Sequence, residues 1–420
     1  MKSISAVCVT SEEMKRKLVR FDEVNGQIID VTEDKMIADY TYGDDCLLFA
    51  GMGDVHIHAR EDVSGKNNYK EDFCSAQAAM KNGGVTHAGD MPNNPIPPVN
   101  NQSYEAKVRL MEKVHGDLWA YAGIGPETKP LSYKVPYKVY MGPSIGELFF
   151  KDTQTLDETL KNYKGQWVSF HCEDPEILEE NKNHSTHIDR RPVLAEVVAT
   201  QDALLLIEKY RLQGKLCHYS SGEGLRLIRE ARAHGVKVQI EVTPQHLYFD
   251  AEDLEKKEAI FFQMNPPIRH RKDKEEMLSS LIKGEIDFLA TDHAPHTEEE
   301  KLKGTSGLTG LDTFGPFVTW LIEEKKVDPK LIAKISAENP GTFFNEFLPS
   351  WKKISKVYDQ FGSGLGFLKP GYRASFTILN LKKPLTIKKE NLKTKVAHSP
   401  FLNCTFPGSV EALFIGGQKV

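Results

Sequence analysis

From about residue 47 onward, short runs of apolar and β-branched residues alternate with longer segments in which apolar residues recur every three or four positions. The short runs are LLFAGMGDVHIHA, VTHAGDMP, LWAYAGI, YKVYMG, WVSFHCED, KLCHYSS, KVQIEVTP and IDFLATDHAP. The longer segments include residues 103–114, 192–212, 222–234 and 274–283. The first kind of pattern predicts strands and the second predicts helices with one apolar face. Glycines punctuate the helical segments: Asn82-Gly83-Gly84, Gly214, Gly235 and Gly284 each follow one and precede a strand, where a C-terminal cap is expected.

Strand-then-helix units repeated in this way predict an α/β chain folded as a TIM (β/α)8 barrel rather than an open doubly wound sheet. No GxGxxG follows the first strand, which also argues against a dinucleotide fold. Residues 47–365 are assigned to the barrel. Residues 1–46 and 366–420 read as short strands with turns (GQIIDV, ASFTIL, ALFIGGQKV), predicting one small β-subdomain built from both termini. Three long irregular stretches stand out: 59–72 and 297–310, which flank candidate chemistry and suit binding loops, and 351–366, expected to be a connector.

Composition narrows the classes of function. With 54 basic and 59 acidic residues the net charge is −5, spread along the chain, so neither nucleic acid nor an anionic membrane is an expected partner. Apolar runs such as 203–207 fall far short of the roughly 20 residues of a membrane span. The start MKSISAVCVTSEEMKRK lacks the apolar core and cleavage site of a signal peptide. Six cysteines without a CxxC pair suggest reduced thiols and a cytoplasmic address, and exclude a zinc ribbon.

In a TIM barrel the chemistry gathers at the C-terminal ends of the strands. His56 and His58 end the first run on the same side of the strand, Lys138 lies in the fourth, His171 ends the fifth, His218 lies in the sixth and Asp292 ends the eighth. A single histidine there is ordinarily a hydrogen-bonded rim residue, and Asp292 alone would pass for a helix N-cap. Four of 14 histidines, a carboxylate and a lysine in an apolar strand, all at one barrel mouth, point together to metal. Imidazole and carboxylate ligands suit Zn²⁺, with Mn²⁺ or Co²⁺ as substitutes. A protonated lysine has no lone pair, so Lys138 contributes only as a neutral amine or as a carbamate able to bridge two metals about 3.5–4 Å apart.

With these residues in place, the chain resembles the dihydroorotases of the amidohydrolase superfamily over most of residues 47–345. GDVHIHAR with KEDF downstream, GDMPNNPIPPV, KVYM, FHCED, CHYSS, EVTPQHL, QMNPPIR and ATDHAPHT follow the family's order of motifs. The resemblance implies two Zn²⁺ per chain, one held by His56, His58 and Asp292 and the other by His171 and His218, with carboxylated Lys138 bridging. It implies that Arg60, Asn93 and His296 grip a substrate carboxylate, that Asn265 and Arg269 line the ring side, and that backbone groups of residues 307–310 contact the ring amide. The implied reaction is the reversible cyclisation of N-carbamoyl-L-aspartate to L-dihydroorotate in pyrimidine biosynthesis. A metal-bridged hydroxide attacks in the hydrolytic direction, and Asp292 shuttles the proton. A homodimer is the family expectation.

The chain departs from the family pattern in places. Ala50-Gly51-Met52-Gly53-Asp54 stands where Pro-Gly-x-Ile-Asp is usual, and Arg60-Glu61-Asp62-Val63 replaces Arg-Glu-Pro-Gly, with a longer loop to Lys70. Gln245-His246 replaces a histidine pair, making His246 a supporting residue rather than a ligand, and Asp312 stands where Glu is commoner. Allantoinase, hydantoinase and dihydropyrimidinase share the metal set and are the alternatives within the superfamily. A barrel without activity, serving as an assembly partner, is the alternative of another class. Asn93 as a plain turn residue and Arg60 as an ion-pair partner of Glu61 or Asp62 are the competing structural readings.

Overall fold

The computed structural model describes residues 1–34, 36–143, 148–254 and 259–420. The alternating runs form parallel strands: Met52–Ile57, Val85–Asp90, Leu118–Ala120 continued by Ala122–Ile124, Tyr137–Tyr140, Trp167–His171, Gln213–Leu216, Val238–Val242 and Phe288–Leu289. Each pairs in parallel with its successor. The ring closes where Ile57 bridges His293 and the His58 N–H donates to the His293 carbonyl at 2.7 Å. The result is a TIM barrel whose strands are buried on both faces, which is why their sequences read as near-continuous apolar runs.

The run LLFAGMGDVHIHA, expected as one strand, is two. Cys46–Ala50 pairs in parallel with Lys2–Val9 and antiparallel with Phe376–Asn380, and only the part after Gly51 enters the barrel. Residues 46–50 thereby fill the centre of a sheet made from both ends of the chain. From one edge its order is Gln418–Lys419, Ser409–Ile415, Phe376–Asn380, Cys46–Ala50, Lys2–Val9, Met14–Asp22 and Gln27–Thr32. Ile4, Val19, Phe21, Leu48, Phe376 and Phe414 give this sheet a hydrophobic cluster of its own.

The expected helices form at Asn101–Met111, Val193–Tyr210, Gly222–Ala233 and Arg271–Ile282. Gly84, Gly235 and Gly284 follow helix ends in left-handed backbone, as expected. Gly214 does not: it lies inside the strand Gln213–Leu216, and Arg211 (φ 51°) caps the helix before it by donating its N–H to the carbonyls of Ile207 and Glu208. Nor is 351–366 a bare connector. It carries the end of the helix Leu348–Ile354 and a 3-10 turn, Lys356–Phe361, and its Trp351, Tyr358 and Phe361 pack around Trp119, with the two indoles stacked at 4.4 Å. No helix among the described residues is long and apolar enough to cross a membrane.

Candidate metal centre and substrate cavity

The strand ends bring the expected side chains to one mouth. A single oxygen, Asp292 Oδ1, lies 3.2 Å from His56 Nε2 and 3.0 Å from His58 Nε2. Across the barrel, His171 Nδ1 and His218 Nε2 face each other at 2.9 Å. Lys138 lies on the strand between these groups, fully buried, and its Nζ has no hydrogen-bond partner among the described residues. Two of these positions, and Arg60 beside them, depart from ordinary backbone: His218 (φ 36°), Asp292 (φ 48°) and Arg60 (φ 65°) are left-handed without being glycine. Such conformations cost on the order of 1–3 kcal/mol each and persist where surrounding packing enforces them.

The ring nitrogens turned away from the centre are held from behind. His56 Nδ1 bonds Glu241, His58 Nδ1 bonds Asn93 Oδ1 at 2.7 Å, and His171 Nε2 bonds Glu173 at 2.8 Å. Glu173 is itself clamped by the Arg191 guanidinium. Burial, reinforced by the Lys138 cation for His56 and by Arg60 for His58, keeps both imidazoles well below the usual histidine pKa, so they are neutral and carry free lone pairs. Burial likewise lowers His171 and His218, and it raises Asp292 to about 7 against the pull of Lys138. Neutral imidazoles aimed at one carboxylate oxygen, together with the orphaned Lys138 Nζ and His218 Nδ1, are the donor set a metal requires. His56, His58 and Asp292 have ligand atoms within 4.8 Å of one another.

Above this centre lies a small, partly open cavity of about 30 Å³, lined by His56, His58, Arg60, Asn93, Asn265 and Asp292, with Ser306 and Gly307 on one wall. Arg60 is buried and does not pair with Glu61 or Asp62. Glu61 binds Lys113, and Asp62 caps Ser64 and the Ile96 N–H. The Arg60 guanidinium instead donates to the Pro295 carbonyl at 3.3 Å and to His296 Nε2 at 3.0 Å. Burial and the Arg60 cation push His296 far below the usual histidine pKa, so both protein partners of Arg60 are neutral. Asn265 Oδ1 is buried and has no hydrogen-bond partner among the described residues.

Not every expected residue reaches the cavity. Arg269 is 2% exposed and lies behind the wall, donating to Ser220 Oγ, to the Arg191 carbonyl and to Glu196. His296 backs Arg60 rather than lining the cavity. Of residues 307–310, Gly307 lines the wall, while the Gly310 N–H is spent on His293 Nδ1. His246 bonds Thr243 Oγ1 and the Pro266 carbonyl, supporting the NPP turn, and Asp312 caps Lys393 and Thr394.

No family model matches the chain. A curated dihydroorotase of Methanosphaera stadtmanae is 30% identical over 387 residues, covering 86% of this chain and 82% of its own length. One from Geobacillus thermodenitrificans is 31% identical, covering 89% and 87%. The chain belongs to the dihydroorotase family. Among solved structures it is similar to an L-hydantoinase (dihydropyrimidinase) of Arthrobacter aurescens, with a TM-score of 0.85, 21% identity and coverage of 100% of this chain and 96% of that one. A D-hydantoinase gives 0.83 at 22% identity, with coverage of 100% and 95%. At these identities the likeness establishes the barrel with its small β-domain.

For a dihydroorotase-family chain, the residues that sequence reasoning passed over are those behind the expected ligands. Glu241 and Lys215 form a fully buried ion pair on adjacent strands. Asp54 accepts from the Thr291 hydroxyl at 2.5 Å, pinning the eighth strand beside the first. Asp90 pairs with Lys107 at 2.6 Å and accepts from the Ala59 N–H at 2.7 Å, holding the turn that presents Arg60. The signal was available, because a charged residue inside an apolar strand run is costly unless paired. KLCHYSS and KVQIEVTP each contain one at a position facing the barrel interior.

Proposed function

We propose that this chain catalyses the reversible interconversion of N-carbamoyl-L-aspartate and L-dihydroorotate. The observation that carries this reading is Arg60: a buried guanidinium on the cavity wall, beside His58 and Asp292, whose own partners are both neutral. Such a cation calls for an anionic ligand, and a ring carboxylate is what separates dihydroorotate from hydantoin or dihydrouracil. The family relationship supports the same substrate.

His56, His58 and Asp292 would hold one divalent cation, His171 and His218 a second, and Lys138, once carboxylated, would reach both. We assign Zn²⁺ to these places on the imidazole-rich donor set. When bound, the metals supply Lewis-acid polarisation of the scissile carbonyl and make water a stronger acid. The chain's residues do the rest. Arg60 anchors the substrate carboxylate, and Asn265 Oδ1 accepts a ring N–H. Ser306 and Gly307 close the wall over the ring. In ring opening, water adds to the carbonyl carbon and gives its proton to Asp292, which passes it to the departing amide nitrogen as the C–N bond breaks. Ring closure runs the same transfers backwards. Asp292 suits both halves of that transfer because its Oδ1 stands among the histidines at the cavity floor.

We assign the barrel and the terminal sheet as two units of one chain, with the boundary at Gly51, and a cytoplasmic site of action. The free cysteines support the cytoplasmic assignment. The test is direct: assay the purified, metal-loaded protein on dihydroorotate, hydantoin, dihydrouracil and allantoin. Turnover of dihydroorotate above the other three is expected, and preference for a ring without a carboxylate would overturn the assignment.

A further inference from the structure

Glu241 touches both halves of the proposed metal centre. Its Oε1 accepts from His56 Nδ1 and, at 2.9 Å, from the backbone N–H of His218, while its Oε2 binds Lys215 Nζ. All four side chains are 3% exposed or less. The His56 bond leaves Nε2 of that ring facing Asp292. The His218 bond lies at a residue with φ 36°, where an L-amino acid needs external support. Each histidine belongs to a different proposed metal position, and one carboxylate oxygen serves both.

We infer that Glu241, clamped by Lys215, is a positioning residue that sets the ring orientation of His56 and the backbone of His218 together, and so governs metal affinity at both positions. The inference rests on the metal reading above. A carboxylate accepting from a ligand imidazole fixes its tautomer and raises its basicity, and removing such a partner typically costs 10- to 100-fold in metal affinity. Lys215 has the complementary task of keeping the Glu241 charge tolerable where no water reaches it.

The experiment titrates Zn²⁺ alone into the metal-free protein of 420 residues against a competing chelator and records Tm in parallel. It compares wild type, Glu241→Gln and the double variant Lys215→Met/Glu241→Gln. Glutamine keeps an oxygen for the two N–H donors but strips the charge and leaves Lys215 unpaired. Methionine then removes that buried cation. Both variants are expected to bind Zn²⁺ about 10- to 100-fold more weakly than wild type, while the double variant regains much of the Tm lost in the single one. Wild-type Zn²⁺ affinity in the double variant would overturn the inference, because Glu241 would then serve only to neutralise Lys215. A wild-type protein that takes up no Zn²⁺ would instead remove the metal reading, so the two failures are distinguishable.

Discussion

Asn93 Oδ1 accepts the Nδ1–H of His58 at 2.7 Å, which leaves His58 Nε2 facing Asp292. Asn93 therefore supports His58, a proposed ligand, as well as lining the cavity. The consequence separates it from Arg60, with which it was grouped as a gripper of the substrate carboxylate. Arg60→Ala is expected to raise the KM for dihydroorotate about 10- to 100-fold, the loss of one charge-assisted interaction, with metal content unchanged. Asn93→Ala is expected to raise KM and also to release metal more readily in a chelator challenge. Wild-type metal retention in Asn93→Ala would show that the His58 contact is incidental.

Lys138 is a fully buried lysine at the centre with, among the described residues, neither a carboxylate nor a carbonyl within hydrogen-bond reach. Lys215, by contrast, has Glu241, and Lys107 has Asp90. A bare ammonium in that position would face the Tyr140 ring at 5.2 Å and the Asp292 charge but would leave its hydrogen-bond donors unsatisfied, whereas a carbamate would place two oxygens among the histidines. Lys138→Ala should lose metal and activity together, and added acetate or propionate should restore part of both. Full metal content in the variant would contradict a bridging role.

The barrel was legible because its strands are buried on both faces and its helices on one, so the apolar period changes at almost every boundary. What the pattern hid was long-range pairing. Cys46–Ala50 reads as the start of the first barrel strand, and only the partners Lys2–Val9 and Phe376–Asn380 draw it into the other sheet. The six expected ligands were legible because their type and their place at strand ends are both unusual. The residues behind them were legible only in part: Glu241 stands out as a charge inside an apolar strand and Asn93 was expected at the substrate, but the ring nitrogen that each of them and Glu173 meets is set by the fold and not by the local sequence. Arg269 shows the converse, since a motif that places an arginine near the ring side says nothing of which way its side chain runs.

Arg269 carries a prediction about stability rather than binding. Its guanidinium is the buried counter-charge of Glu196, whose carboxyl burial already lifts to about 7. Breaking a buried pair of this kind typically costs about 3–5 kcal/mol, softened here because Glu196 can take up a proton. Arg269→Gln should lower Tm by several degrees and leave the KM for dihydroorotate near the wild-type value. A KM about tenfold higher with an unchanged Tm would return Arg269 to the substrate.

The departure at Ala50-Gly51-Met52-Gly53-Asp54 has a physical counterpart in the second strand. A Cβ on Gly53 would lie 2.2 Å from His87 Nε2, so the imidazole fills the space that a larger residue at 53 would take. His87 is buried, bonds Thr86 Oγ1 at 2.9 Å through Nδ1, and packs edge-on against Phe344. Burial, helped by the Arg373 cation, lowers its pKa from 6.5 to about 3. Below pH 6.5 the unfolded chain takes up a proton here that the folded chain refuses. This site's contribution to stability is therefore intact above that pH and is lost as pH falls toward 3, at about 1.4 kcal/mol per pH unit. Substituting His87→Phe, which fills a similar volume without a titrating group, should flatten the fall in Tm between pH 6 and pH 4 relative to wild type. The same acid profile in both proteins would mean that His87 is already reached by water or proton in the folded state.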